Sequence, residues 1–247
     1  ALLNQANAAG PRATFNYDNR AATFSIRTGP SLANANSASS VTYTLTYGGA
    51  TATTLIPGNI SLSTTGSANC IIGVSAAIPT STVTLTGCSG DGTVGISVVA
   101  NTASDAAGNQ APAAGPSATF VVDNTLPAVT CAAPAGNAQG FGWYQSSDLP
   151  LDLSTAMTCA DGAGSGCNAP SKLCAYAADG VTFGSFGACS QVWAESSTVA
   201  GSKFKIQEAD LAGNVGVSAL CTVNVDLTTP PVPTFSAQPP LNDSNTS

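Results

Sequence analysis

Residues 41–47 read Val41-Thr-Tyr-Thr-Leu-Thr-Tyr47, which sets Val41, Tyr43, Leu45 and Tyr47 on one face of an extended chain and three threonines on the other. A period of two with a β-branched bias marks a half-buried strand. The same alternation carries Val83 and Leu85, then Val94, Ile96 and Val98, and Leu149, Leu151 and Leu153. It returns in Phe204 and Ile206, and in Cys221, Val223 and Val225. Turn signals separate these runs: Tyr47-Gly-Gly-Ala50, Ser89-Gly-Asp-Gly92, Ala107-Gly-Asn109, Asp161-Gly162 and Asp179-Gly180. Helical periodicity is absent from every window of about eleven residues. Many short strands punctuated by turns predict an all-β chain built as sandwiches.

The chain also repeats itself. Residues 4–19 read NQANAAGPRATFNYDN and residues 109–124 read NQAPAAGPSATFVVDN, a gapless offset of 105. The segment Cys221-Thr-Val-Asn-Val-Asp226 stands where Ala118 to Asp123 stand, and the turn Asp105-Ala-Ala-Gly-Asn109 recurs as Asp210-Leu-Ala-Gly-Asn214. The C-terminal run from Pro239 resembles the run from Pro30. Such a period is one compact domain, far longer than the roughly 20–50 residues of a solenoid repeat. The expected organisation is therefore residues 1–19 as the last strand of a preceding module (or a donor-like strand), 20–125 as module one, 126–229 as a cysteine-rich module two, and 230–247 as a linker and the start of another module.

Composition removes whole classes of chemistry. Histidine is missing, so Ser-His-Asp catalysis and imidazole metal sites are excluded. Six Lys or Arg against thirteen Asp or Glu, for a net charge of −7, argue against a nucleic-acid partner. No apolar run approaches the roughly 20 residues of a membrane-spanning helix, so no membrane insertion is expected in this segment. With no nucleophile elbow, phosphate loop or paired-carboxylate motif, the chain is not expected to be an enzyme. The eight cysteines, Cys70, Cys88, Cys131, Cys159, Cys167, Cys174, Cys189 and Cys221, include no pair spaced as a zinc knuckle. They read as disulfides, hence an exported, oxidising location. The first ten residues lack the basic and apolar regions of a signal peptide, so an export signal is expected upstream or already removed. Cys70 with Cys88 is the expected bridge of module one. In module two, strand neighbours suggest Cys131 with Cys159, Cys167 with Cys174, and Cys189 with Cys221.

The stretch Gly92-Thr-Val-Gly-Ile-Ser-Val-Val-Ala-Asn-Thr-Ala-Ser-Asp-Ala-Ala-Gly-Asn109, followed by Phe120-Val-Val-Asp-Asn-Thr-Leu-Pro127, resembles the closing strands of bacterial Ig-like domains. In module two, Gly142-Trp-Tyr144, the Asp161-Gly-Ala-Gly-Ser-Gly166 run and Glu208-Ala-Asp-Leu-Ala-Gly-Asn214 are similar to the same group. The resemblance implies two tandem immunoglobulin-like β-sandwich domains in an extended arrangement. It further implies an extracellular bacterial fibre, stalk or adhesin whose partners are other modules of the chain, copies of itself, or a host or prey surface glycan or protein. The six cysteines of module two depart from that pattern, since such modules usually carry none.

Three groups of residues are candidate sites. Asp105 or Asp123 could join acidic residues of the neighbouring module around Ca²⁺, which takes 6–8 oxygen ligands, although turn chemistry is the better account of the Asp-x-x-Gly-Asn motif. Trp143, Tyr144 and Trp193 could stack on a sugar ring, or simply fill a core. Residues 10–19 could complete a neighbour's sheet in a filament assembled by strand exchange. An intramolecular isopeptide bond is excluded from module one, which has no Lys between Arg27 and Lys172. In module two, Lys203 and Lys205 flank Phe204 as ordinary exposed strand positions.

Overall fold

The computed structural model describes residues 10, 15–132, 134, 142–149, 151–177, 181–189 and 199–234. Trp193 lies outside them. The chain packs as two compact units: one of Ala1–Pro127, Ala160–Asn168 and Ala209–Gly216, the other of Ala128–Cys159, Ala169–Glu208 and Val217–Ser247. Among the described residues the regular structure is strands and single 3₁₀ turns, and no helix is long and apolar enough to cross a membrane.

The first unit is a β-sandwich. Its strands are β1 (Thr23–Thr28), β2 (Asn34–Ala35), β3 (Ser40–Gly48), β4 (Ala52–Thr53), β5 (Ile60–Thr64), β6 (Asn69–Ser75), β7 (Thr80–Ser89), β8 (Gly92–Val98), β9 (Ala103–Ser104) and β10 (Phe120–Val122). One sheet runs β1-β3-β7-β6 and the other β2-β10-β8-β5, with β4 and β9 forming a short ribbon. In β3 the alternation quoted from the sequence becomes alternation of burial: Val41, Tyr43 and Leu45 are fully buried while the threonines between them stay partly exposed. Their cross-strand partners Leu85, Val83 and Ser81 on β7 are buried too. The facing sheet adds Val94, Ile96, Phe120 and Val122, which close the core. At β6 the register slips between Asn69 and Ile71, and the Cys70–Cys88 disulfide joins β6 to β7 beside the slip. The strand after the core is fastened from outside it. Asp91 accepts from Asn124 N–H at 2.7 Å and from the Thr125 hydroxyl at 2.9 Å.

The second unit is built on β11 (Ala128–Cys131), β12 (Trp143–Tyr144), β13 (Met157–Ala160), β14 (Leu173–Ala177), β15 (Gly187–Ala188), β16 (Val199–Ala209) and β18 (Cys221–Val225), with β17 (Val215–Val217) and the last residues of β13 and β16 crossing into the first. The main sheet runs β12-β18-β16-β14-β15, and β11 pairs with β13. Phe204, Ile206, Leu151, Leu153, Val223 and Val225 fill its core. Topology repeats where the sequence repeats: the last strand of each unit lies parallel to a two-residue strand, β10 along β2 and β18 along β12.

The cysteines depart from the strand-neighbour expectation. Cys131 bonds Cys221 and Cys174 bonds Cys189, while Cys159 and Cys167 are also disulfide-bonded and no described cysteine is free. Alternation fixes the face on which a cysteine stands. It leaves open which distant strand end arrives opposite, and Cys189 meets Cys174 because β14 and β15 pair antiparallel at Cys174↔Gly187.

Candidate functional site

The Asp-x-x-Gly-Asn turn makes the same aspartate–asparagine hydrogen bonds in both copies, while the Ala212 N–H, equivalent to that of Ala107, donates to Ser165 Oγ at 3.0 Å. Asp105 Oδ1 accepts from the backbone N–H groups of Ala107 and Asn109, each at 2.9 Å, and Oδ2 accepts from Asn109 Nδ2 at 2.9 Å. Asp210 accepts from Asn214 N–H at 2.9 Å and from Asn214 Nδ2 at 2.7 Å. Gly108 and Gly213 close the turns at φ +90° and +94°, a region that a Cβ disfavours. The Asn109 side-chain amide, helped by backbone N–H groups and opposed by desolvation, lowers the Asp105 pKa. Each asparagine then spends a second donor outside its turn. Asn109 Nδ2 donates to the Asp18 carbonyl at 3.1 Å and Asn214 Nδ2 to the Asp123 carbonyl at 2.8 Å, across the same separation of 91 residues. All of these residues belong to the first unit. The turn of one repeat thus holds the residue that ends the repeat before it.

Of the two aspartates named as candidate cation ligands, Asp123 is the one that meets further acids, Asp161 and Asp210. The structure does not bring the two together, because Asp105 heads a turn while Asp123 closes a strand, and each turn faces the preceding repeat's aspartate. Asp105 shares a cavity of about 330 Å³ with Asp18 and Arg20. Asp123 instead gathers with Asp161 and Asp210, their ligand oxygens all within 4.8 Å of one another. Asp123 and Asp210 are buried, and Asp161 is partly so. Ser165 N–H donates to Asp123 Oδ2 and Gly166 N–H to Asp161 Oδ2, both at 2.6 Å. Asp161 Oδ1 is buried without a hydrogen-bond partner among the described residues. Gly164 covers the pair so closely that a Cβ there would stand 2.6 Å from Asp161 Oδ2 and 2.7 Å from Asp123 Oδ2. Three hard oxygen donors around one point suit a hard cation of the Ca²⁺ class. The repeat places Asp210 as the counterpart of Asp105, but only the fold brings in Asp161.

The two acids titrate in opposite senses. Desolvation pushes the Asp123 carboxyl up, yet the N–H groups of Ser165 and Thr125 and the Ser165 hydroxyl outweigh it, and its pKa lies below the ordinary 3.8. Asp161 lies above 3.8, first from desolvation and then from the charges of Asp123 and Asp210, against the pull of Gly166 N–H. Asp123 therefore adds stability that is present above pH 3.8 and lost as pH falls through its lowered value. Asp161 does the reverse: its contribution is full below 3.8 and is lost as pH rises through its raised value. In chelator-treated protein, Asp161→Asn is expected to raise the thermal midpoint at neutral pH and to flatten the pH dependence above about pH 4. An unchanged midpoint and slope would show that Asp161 is not strained by its neighbours.

The aromatic candidates divide. Tyr144 is 2 % exposed and donates its hydroxyl to the Pro134 carbonyl at 2.9 Å, so its ring is core and has no face to offer a sugar. Trp143 is 38 % exposed and lines a cleft of about 460 Å³ with Asp226 and Pro230. Successive strand residues point to opposite faces, which is why the two neighbours part. Phe183 is engaged by Lys205, whose Nζ stands 4.9 Å from the ring centroid, a cation–π contact. In residues 10–19, Phe15 and Tyr17 are 85 % and 80 % exposed, whereas Phe120 and Val122 at the matching positions of the repeat are buried.

No protein-family model matches the chain, and no curated protein matches it in sequence. Among solved structures it is similar to Yersinia pseudotuberculosis InvD at 15% identity and a TM-score of 0.28, over 89% of this chain and 60% of that one. It is also similar to the Yersinia pseudotuberculosis adhesin InvE at 12% identity and a TM-score of 0.24, over 83% and 58%. The chain spans about three fifths of the length of these two structures.

Proposed function

We propose that this chain is a structural and adhesive segment of tandem Ig-like modules, part of an extracellular bacterial surface fibre, stalk or adhesin. The supporting observation is the asparagine latch that occurs twice, from Asn109 to Asp18 and from Asn214 to Asp123. In each case the turn holds, within the first unit, the residue that ends the preceding repeat, and the prolines at Pro127 and Pro230 stiffen the segments after Asp123 and Asp226 by fixing φ. Disulfides suit an oxidising compartment outside the cell. Ca²⁺ at Asp123, Asp161 and Asp210 would stiffen the array further by relieving their mutual repulsion. It is expected to raise the thermal midpoint of the native chain but not of Asp161→Asn.

Small-angle scattering tests the reading. A monodisperse rod about two domains long is expected, and a compact globule would overturn it. Strand exchange into a filament is a second reading, supported by the exposed Phe15 and Tyr17. It would reveal itself in the same measurement as scattering mass that grows with concentration and is lost when residues 1–17 are removed. A glycan partner keeps only Trp143 among the described rings that were candidates for stacking.

A further inference from the structure

Three aspartates end their repeats with one construction. Asp18, Asp123 and Asp226 each accept, through Oδ1, the backbone N–H two residues on: Arg20 at 3.0 Å, Thr125 at 3.1 Å and Thr228 at 2.9 Å. Asp123 N–H donates to the Ala35 carbonyl at 3.0 Å and Asp226 N–H to the Tyr144 carbonyl at 2.7 Å, on matching parallel strand pairs. Pro127 and Pro230 each follow their aspartate by four residues. The carbonyls of Asp18 and Asp123 each receive an asparagine amide from 91 residues further along.

Beside Asp226 the second unit presents the cleft of about 460 Å³ walled by Trp143, Gln145, Thr228 and Pro230. We propose that this cleft is a docking site for the Asp-x-x-Gly-Asn turn of a further β-sandwich module, whose asparagine donates to the Asp226 carbonyl. Both sides are prepared in advance. The turn's aspartate holds the asparagine amide by one N–H, as Asp105 and Asp210 do at 2.9 and 2.7 Å, and leaves the other aimed outward. On the receiving side, the Asp226 side chain caps its own backbone turn and fixes the direction of the carbonyl. Little conformational entropy remains to be lost on docking. The half-exposed Trp143 supplies apolar surface for the incoming turn to cover.

The proposal rests on the tandem-module reading, which scattering from the present chain tests separately. A second copy of residues 128–234 placed directly after Pro230 preserves the 91-residue spacing. With Trp193→Phe in both copies and Trp143→Phe in the added one, the original Trp143 is the sole tryptophan. Its emission is expected to shift to the blue, and its quenching by acrylamide to fall, relative to the same chain without the addition. Asn214→Ala in the added copy should reverse both changes while circular dichroism shows that copy folded. A short Gly-Ser insert after Pro230 changes no side chain of the added copy and should reverse them as well. Trp143 quenched as readily with the added copy as without it, or equally protected after Asn214→Ala, overturns the proposal. Protection by added oligosaccharide on the unextended chain would assign the cleft to sugar and overturn it too.

Discussion

Replacing both Cys131 and Cys221 by serine is expected to destabilise the second unit by about 4–5 kcal/mol, enough to consume much of a small domain's stability. The bond closes a loop of 90 residues and ties β11 to the first residue of β18. Cutting it frees the unfolded chain to explore states that the crosslink forbids, and that gain in entropy is the main cost on the chain-entropy account. A native-state term adds to it, because Cys221 is buried against the core with Phe204 as its cross-strand partner. The Cys174–Cys189 bond spans only 15 residues, so its removal is expected to cost nearer 3 kcal/mol. The difference is modest because closure entropy grows only with the logarithm of loop length. Urea unfolding followed by circular dichroism measures both. Equal midpoints for the Cys131→Ser/Cys221→Ser chain and its parent would mean that this tie constrains nothing.

Phe120→Ala and Phe15→Ala are expected to differ by about 3–5 kcal/mol although the two phenylalanines occupy the same position of the repeat. Phe120 is 1 % exposed, paired with Val94 across β8 and enclosed with Val122, Tyr43 and Leu85. Truncating it removes the transfer energy of the ring and leaves a cavity that two sheets cannot close without breaking register. Phe15 is 85 % exposed, so its loss should stay within about 0.5 kcal/mol in the monomeric chain. Denaturant midpoints of the two variants test this directly. A Phe15→Ala chain as unstable as Phe120→Ala would show that the first repeat's end is covered by something in solution.

That pair also marks how far the sequence reaches. Alternation predicted β3, β7, β8, β16 and β18 with their buried faces, since the pleat makes every second side chain share an environment. The repeat aligned Asp105 with Asp210 and Asp18 with Asp123, and so held the elements of the latch. The latch itself stayed hidden because its two halves are 91 residues apart and share no local pattern. In the sequence Asp161 is only the first residue of a glycine-rich turn. It became a candidate ligand when that turn arrived beside Asp123, whose carboxylate accepts from Ser165 N–H. Tyr144 and Trp143 were a single aromatic pair in sequence, and the strand separated them into a core ring and a cleft wall.

Residue alternation and composition suffice for the all-β class, the faces of the main strands, the repeat and the oxidised state of the cysteines. These follow from local stereochemistry and composition, which act within a few residues. Which cysteines pair, which aspartates converge and whether a given phenylalanine is core or surface emerge from the folded chain alone. Those outcomes depend on the order in which strands enter the sheets, and that order is set by the packing of distant faces rather than by any one strand.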